Sequence, residues 1–283
     1  MTGSAAPGEL GPVSCQRGMD VLSIDLEMWH DTSCVDETGF LLDVLEAHRA
    51  RATFFVLGSV ATREPGLVKR IAGCGHEIAS HGWNHDQIWK KSPSQYRDEM
   101  QRSFDTLSGL VGSPIAGYRA PHFSVSPDTY WALDVLAEIG FKYDSSIFPI
   151  AGPRYGIPDF PRAPVRVKRN GRSIVEVPLS TVRQLRWNLP VAGGGYFRLL
   201  PYPIIERSVR AVHGDGRPFV VYCHPYEFRR ESLVWPPGAG LLGRAEAVAR
   251  GAKFNLFRRT MLGKLTRLLT EFTFTSVQEA LRL

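Results

Sequence analysis

Val21-Leu22-Ser23-Ile24-Asp25-Leu26-Glu27 is the stretch on which the reading of this chain turns. Val21 to Ile24 has the composition of a buried strand, and the run ends in two acids two residues apart. On extended backbone both carboxylates project to the same side. The same pattern recurs downstream. Ala52–Val56 reads as a second strand, and Glu77–Ser80 as a third with His81 and His85 directly after it. Ile115–Tyr118 precedes Arg119, Phe141–Tyr143 precedes Asp144, and Phe219–Cys223 precedes His224, while Ile174–Val177 is a further late strand. Helical spacing separates these runs: Phe40 to about Arg49, Pro65–Ala72, a capping box at Ser92-Pro93-Ser94-Gln95 opening a helix to about Leu107, Ser126-Pro127 through Ile139, and Ile204–His213. Such alternation predicts a parallel α/β architecture. In that architecture the carboxyl ends of strands form the functional face, and here they carry ionisable side chains from several strands.

Composition narrows the class. The 283 residues are 43% hydrophobic, which excludes a disordered chain. A mean hydropathy of −0.13 excludes a multi-span membrane protein. Lys and Arg exceed Asp and Glu by 34 to 28, but the basic residues are scattered, so no nucleic-acid partner is expected. Cys15, Cys34, Cys74 and Cys223 show no C-x-x-C pairing and read as free thiols in a reducing compartment. Met1 to Pro12 has neither a cationic n-region nor an apolar h-region, and no run approaches the roughly 20 apolar residues of a membrane span. Cytoplasmic residence is the resulting expectation.

Residues 1–17 read as a flexible lead-in and 18–283 as one domain. A basic, helical C-terminal extension is expected from about Trp235, with a last strand near Phe272–Phe274. Phe148 to about Pro164 is rich in Pro and Gly and reads as a long surface loop. Gly193-Gly194-Gly195 matches no phosphate loop and is expected to let backbone approach a substrate closely.

His81-Gly82-Trp83-Asn84-His85 sets two imidazoles four residues apart, the rise of one helical turn, so both can point at one ion. One acid of the Asp25/Glu27 pair plus two histidines leaves coordination positions open on a divalent cation, as a catalytic metal requires. Trp83, Trp89, Phe123 and Tyr155 are candidates to stack on a sugar ring. His76 reads as satisfying a core hydrogen bond, and His30, His48 and His213 as surface or helix-end residues.

Several motifs in order give a resemblance. They are Ser23–Glu27, Ala52–Gly58, Gly75-His76-Glu77-Ile78-Ala79-Ser80-His81 through His85, Gly117-Tyr118-Arg119-Ala120-Pro121, Tyr143–Pro149, and Tyr222-Cys223-His224-Pro225. Together they resemble the NodB-type polysaccharide deacetylases, carbohydrate esterase family 4. With Gly193–Arg198, the chain is most similar to the branch associated with exopolysaccharide and exosortase gene clusters. The resemblance implies a distorted (β/α) barrel and metal-dependent removal of an N-acetyl group from a glycan. It further implies one divalent ion of zinc type (or cobalt, manganese or nickel) held by Glu27, His81 and His85. Asp25 would be the general base, and Leu26 intervenes where the common motif has adjacent aspartates. Arg119 would hold the Asp25 carboxylate, and His224 would protonate the departing nitrogen. Pro121, His122, Phe123, Asp144 and Trp83 are the expected substrate contacts, with the backbone N–H near His122 a candidate oxyanion donor. Asp144 has a second expectation, as a cap on the Ser145-Ser146 turn. Hydrolysis of a small amide or cyclic imide, and glycan binding without turnover, are the competing expectations. Peripheral association with envelope polysaccharide machinery is compatible with all three.

Overall fold

The structure is a computed structural model that describes residues 6–27, 34–152, 154–228, 248 and 255–283. His30, and residues 235–247 and 249–254 of the expected extension, lie outside the described residues. In chain order the elements are β1 (Glu9–Pro12), β2 (Asp20–Leu26), α1 (Val35–Ala47), β3 (Thr53–Val56), α2 (Gly58–Arg63), α3 (Pro65–Gly73) and β4 (Glu77–Ser80). Then come α4 (Pro93–Val111), β5 (Gly117–Tyr118), α5 (Trp131–Ile139), β6 (Tyr143–Asp144), β7 (Val165–Arg169), β8 (Arg172–Glu176) and the hairpin β9 (Thr181–Gln184) with β10 (Trp187–Pro190). They are followed by α6 (Gly194–Leu199), α7 (Tyr202–Gly214), β11 (Val220–Cys223), α8 (Met261–Glu271), β12 (Phe274–Thr275) and α9 (Val277–Leu281).

A ten-stranded sheet runs in the order β1-β7-β8-β6-β5-β4-β3-β2-β11, with β12 also pairing β2. From β8 to β11 every neighbouring pair is parallel, whereas β7 and β1 are antiparallel additions at one edge. Between β8 and β11 the described residues form no ladder. Ser180 spans that gap, donating its N–H to Val220 O at 3.1 Å and accepting the Val220 N–H on its hydroxyl at 2.8 Å. The sheet thereby curls into a distorted barrel, the expected fold class.

Strand alternation sorts side chains to the two faces of the curled sheet. Leu22, Ile24, Leu26, Phe54 and Ile78 point outward into the larger core, packed by helix residues such as Leu67, Val68, Val209 and Leu268. Val21, Phe55, Ala79, Tyr143, Val175 and Val220 point inward and are joined by Val277, Ala280 and Leu281 of α9. Asp25 shares the inward parity of Val21, so it stands above an apolar interior. The Ser92 capping box forms as read, with Gln95 N–H to Ser92 Oγ and Ser92 N–H to Gln95 Oε1. Its helix closes on Gly112, whose φ of +77° suits a residue without Cβ.

Some elements depart from the expectations. Part of the lead-in forms β1, which covers the exposed edge of β7 with Glu9 opposite Lys168 and Pro12 opposite Val165. Proline is tolerated there because β1 is the outermost strand. The helix expected from Ser126 divides into a 3-10 turn at Pro127–Thr129 and α5. The β9–β10 hairpin falls in a stretch whose polar and arginine-rich composition gave no strand signal.

Candidate active site

The carboxyl end of β2 delivers Asp25 and, one residue past the strand, Glu27. Glu27 Oε1 lies 3.3 Å from His81 Nε2, 3.0 Å from His85 Nε2 and 3.4 Å from His224 Nε2. His81 follows β4 directly. His85 reaches the same point by a different route from the helical turn expected, since residues 81–87 form no helix. Gly82 at φ +82° and His85 at φ +63° fold that loop back on itself. The price of a non-glycine residue in this region marks a loop held by its surroundings.

The protonation pattern of these rings tests whether a cation fits. His81 Nδ1 faces the Arg119 carbonyl at 2.8 Å, a pure acceptor, so Nδ1 carries the proton. Nε2 of the neutral ring then presents a lone pair to a carboxylate oxygen. Two acceptors face one another unless the ring is protonated or a cation lies between them. Glu27, His81 and His85 offer ligand atoms all within 4.8 Å of one another, the donor set of a divalent ion with open positions. A second grouping, Asp25, Glu27 and His224, meets the same distance limit. Burial pushes the Glu27 carboxyl up, but the neighbouring His224 charge and hydrogen bonds from His224, His81 and His85 more than offset it, leaving the group well below the usual carboxylate range.

Asp25 is held from below. Arg119 is fully buried, and its Nη1 donates to Asp25 Oδ1 at 2.7 Å and to Ser23 Oγ at 2.8 Å. Its Nε donates to Ser145 O at 3.0 Å and Nη2 to Ser145 Oγ at 2.8 Å, while the ring of Phe55 lies 4.1 Å from the guanidinium. The two serines pass their own protons to the Val221 and Val177 carbonyls, which fixes them as acceptors for the arginine. Four of the five guanidinium N–H groups are thus given acceptors, the kind of pairing that a buried charge demands.

His224 follows β11. Its Nδ1 and backbone N–H both reach Glu227 Oε2, at 3.2 and 2.9 Å. Burial alone would depress the ring's basicity, but the Glu27 charge and the Glu227 hydrogen bond raise it well above the ordinary histidine value. Tyr226 stacks on the ring at 4.8 Å and Tyr222 meets it edge-on at 5.5 Å.

These groups line one open cleft of about 250 Å³, together with Ala120, His122, Phe123 and Tyr155. His122 sits at φ +57° with its ring 4.5 Å from that of His85. Phe123 and Ser124 spend their N–H groups inside the 120–124 turn. Three expected substrate contacts fall elsewhere. Trp83 is buried against Gly58, where a Cβ would meet its ring at 2.2 Å, with the Arg102 guanidinium stacked 3.6 Å above it. Asp144 is fully buried, accepting from Ser146 Oγ and facing Glu176 across β6 and β8. Of its second expectation the hydroxyl contact with Ser146 is present, but residues 145–149 form no turn for it to cap. Pro121 packs against Gly82 rather than lining the cleft. Trp89 is 49% exposed, apart from it.

Among the other histidines, His76 accepts the Ala52 N–H at 3.2 Å, His48 contacts Val44 O at the end of α1, and His213 pairs with Asp20 at 2.8 Å. Glu227 and the tyrosines at 222 and 226 were missed from sequence. The signal available for Glu227 was its place three residues after His224, which a single 3-10 turn at Pro225–Phe228 converts into contact. Gly193 and Gly194 are not among the residues lining the cleft, and Tyr222 and Glu227 lie where their side chains would stand.

Comparison with known proteins fits this geometry. The family model described as polysaccharide deacetylase matches residues 27–143, and one described as a domain of unknown function matches 145–282. A peptidoglycan-N-acetylglucosamine deacetylase of Bacillus cereus is 37% identical over 82 residues, covering 29% of this chain and 30% of its own length. A chitooligosaccharide deacetylase of Bradyrhizobium sp. is 32% identical over 97 residues, covering 34% of this chain and 42% of its own. The chain therefore spans well under half the length of these relatives. Among solved structures, the Puue allantoinase superposes with a TM-score of 0.57 at 18% identity over 87% of this chain and 71% of that one, a likeness of fold. The stretch matched by the polysaccharide deacetylase model contains Glu27, His81, His85 and Arg119, and it begins just past Asp25.

Proposed function

We propose that this chain is a metal-dependent hydrolase that removes N-acetyl groups from sugar residues of a polysaccharide or lipid-linked oligosaccharide and releases acetate. The observation that carries the reading is the convergence of one carboxylate and two imidazoles beside a second, arginine-paired carboxylate at the floor of an open cleft. Glu27, His81 and His85 would hold the ion, of which zinc suits the nitrogen and oxygen donors. When bound, such an ion supplies a water of lowered pKa and a polarised carbonyl.

The remaining work falls to this chain's own groups. Asp25, oriented by Arg119, accepts the proton of the attacking water. His122 lines the cleft, and its backbone N–H would donate to the developing oxyanion. His224 carries its transferable proton on Nε2, because Nδ1–H is committed to Glu227. That proton goes to the nitrogen as the C–N bond breaks, so the amine leaves neutral. Phe123 and Tyr155 offer ring faces to a sugar at the cleft wall. The exopolysaccharide-associated resemblance suggests an envelope glycan as substrate and peripheral association with the machinery that builds it.

Acetate release from N-acetylated chitooligosaccharides tests the reading. Turnover is expected to vanish on chelation and return with zinc, cobalt, manganese or nickel. Activity indifferent to chelation sinks the mechanism, and turnover of allantoin in preference to the glycan sinks the substrate class.

A further inference from the structure

The Gly193-Gly194-Gly195 motif lies directly behind the wall of the cleft that carries His224. Gly193 has φ +114°, and a Cβ there would stand 2.1 Å from the Tyr222 ring. A Cβ on Gly194 would stand 2.4 Å from Oε1 and 2.5 Å from Oε2 of Glu227. Gly195 differs, since nothing lies within 4 Å of its Cβ position. Two of the three glycines are therefore required by close approach, and the groups they approach are the two that flank His224. Glu227 is itself 4% exposed, and its Oε2 holds both the His224 backbone N–H and Nδ1.

We infer that Glu227 is the positioning residue of His224 and that the Gly193–Gly194 backbone, by having no side chains, holds Glu227 in the only place from which it can orient that ring. The inference rests on the reading above, in which His224 protonates the leaving nitrogen. The ring must carry its second proton at Nε2, and only an acceptor fixed at Nδ1 keeps Nε2 aimed at the cleft. Any side chain at 194 would displace the carboxylate and free the ring to turn.

The test compares two substrates with different leaving groups in Glu227→Ala, Glu227→Gln, Gly194→Ala and Gly195→Ala. An amide nitrogen in a chitooligosaccharide needs the proton, whereas the aryloxide of 4-nitrophenyl acetate does not. General-acid assistance contributes about 10²- to 10⁴-fold. On the amide, Glu227→Ala and Gly194→Ala are expected to lower kcat on the order of 10²-fold with KM little changed. Their aryl acetate rates should stay within about 3-fold, and bound metal should be unaltered. Glu227→Gln, which keeps an acceptor, should recover part of the loss, and Gly195→Ala should match the parent. Combining Gly194→Ala with Glu227→Ala should cost nothing beyond Glu227→Ala alone, because both act through one group. Losses that multiply in the double variant, or that fall equally on both substrates, overturn the inference.

A readout independent of turnover separates this inference from the functional reading. In ¹H–¹⁵N histidine spectra, a protected Nδ1–H resonance absent from His224→Asn should be present in the parent, weakened in Gly194→Ala and lost in Glu227→Ala. If the parent releases no acetate yet shows this pattern, the functional reading fails and the positioning holds. If the resonance survives in Glu227→Ala, the positioning is wrong whatever the activity. Should Gly194→Ala not fold, the Glu227 pair and the spectra still decide.

Discussion

The stretch 27–143 and the stretch 145–282 build the cleft by different means. In the first, strand ends present side chains: Glu27 after β2, His81 after β4 and Arg119 after β5, with Asp25 just ahead of it on β2. In the second, β11 presents His224, and what surrounds it is arranged by a 3-10 turn, by packed tyrosines and by the absence of side chains at Gly193 and Gly194. On the proposed reading, the first region and the strand leading into it supply the ion-holding and base groups, and the second the proton donor and the wall. A reactive centre read from strand ends alone is therefore half described, because close backbone packing can be as specific as a side chain.

Matched substitutions in the two regions should break them apart most sharply. His81→Ala removes a candidate ligand, and an ion worth several kcal/mol of transition-state stabilisation implies a loss of at least about 10³-fold in acetate release. Metal content after dialysis, measured by atomic emission, should fall with it. His224→Asn should cost about 10²- to 10⁴-fold while metal content stays at the parent level. Equal metal loss in both variants would erase the distinction between the regions.

Arg119 of the first stretch joins Asp25, just ahead of that stretch, to Ser145 of the second. Arg119→Met keeps most of the volume but leaves the Asp25 carboxylate, 2% exposed, without its cation. Breaking a buried pair in this way costs about 3–5 kcal/mol. Urea unfolding should report that loss at neutral pH, and a change below about 1 kcal/mol would mean that Asp25 is neutral or otherwise compensated.

Strand ends were legible because ionisable residues are chemically unusual in an apolar context, whereas His81 and His85 converge through a loop and not through the helical turn that their spacing suggested. Val21–Glu27 announced both its strand and its acids, and the capping box at Ser92 announced a helix start by purely local bonding. The β9–β10 hairpin was not legible, because its pairing depends on tertiary packing, with Asn188 Nδ2 bonded to the carbonyls of Pro149 and Pro158. Trp83 and Asp144 misled for a related reason. An aromatic beside a histidine or an acid after a strand carries no mark of which side it will face. Only Gly58 and the Glu176 carboxyl reveal that both turn inward. Of the glycine triplet, read as a close approach to substrate, Gly193 and Gly194 are closely approached by Tyr222 and Glu227, which the sequence did not name.

Asp144 and Glu176 allow a finer contrast between a buried acid that works through an arginine and a pair that manages without a dedicated cation. Both are fully buried and directly opposite in the β6–β8 register. Burial raises Asp144 to about 6, against lowering by hydrogen bonds from Glu176 and Ser146. Burial first, then the Asp144 charge, raises Glu176 well above the ordinary value. A raised pKa means that the folded protein holds protons the unfolded chain has already released. Stability from the pair is therefore fully present below about pH 4 and is lost as pH rises, through about 6 for Asp144 and beyond that for Glu176. Above pH 6 the remaining Glu176 proton should cost up to about 1.4 kcal/mol per pH unit. Glu176→Gln replaces that proton with an amide donor that never titrates. Urea unfolding at pH 6, 7 and 8 should show the variant gaining on the parent at each step, while curves that stay parallel would mean that Glu176 is already ionised in the folded protein and that something other than a shared proton keeps the two carboxylates together.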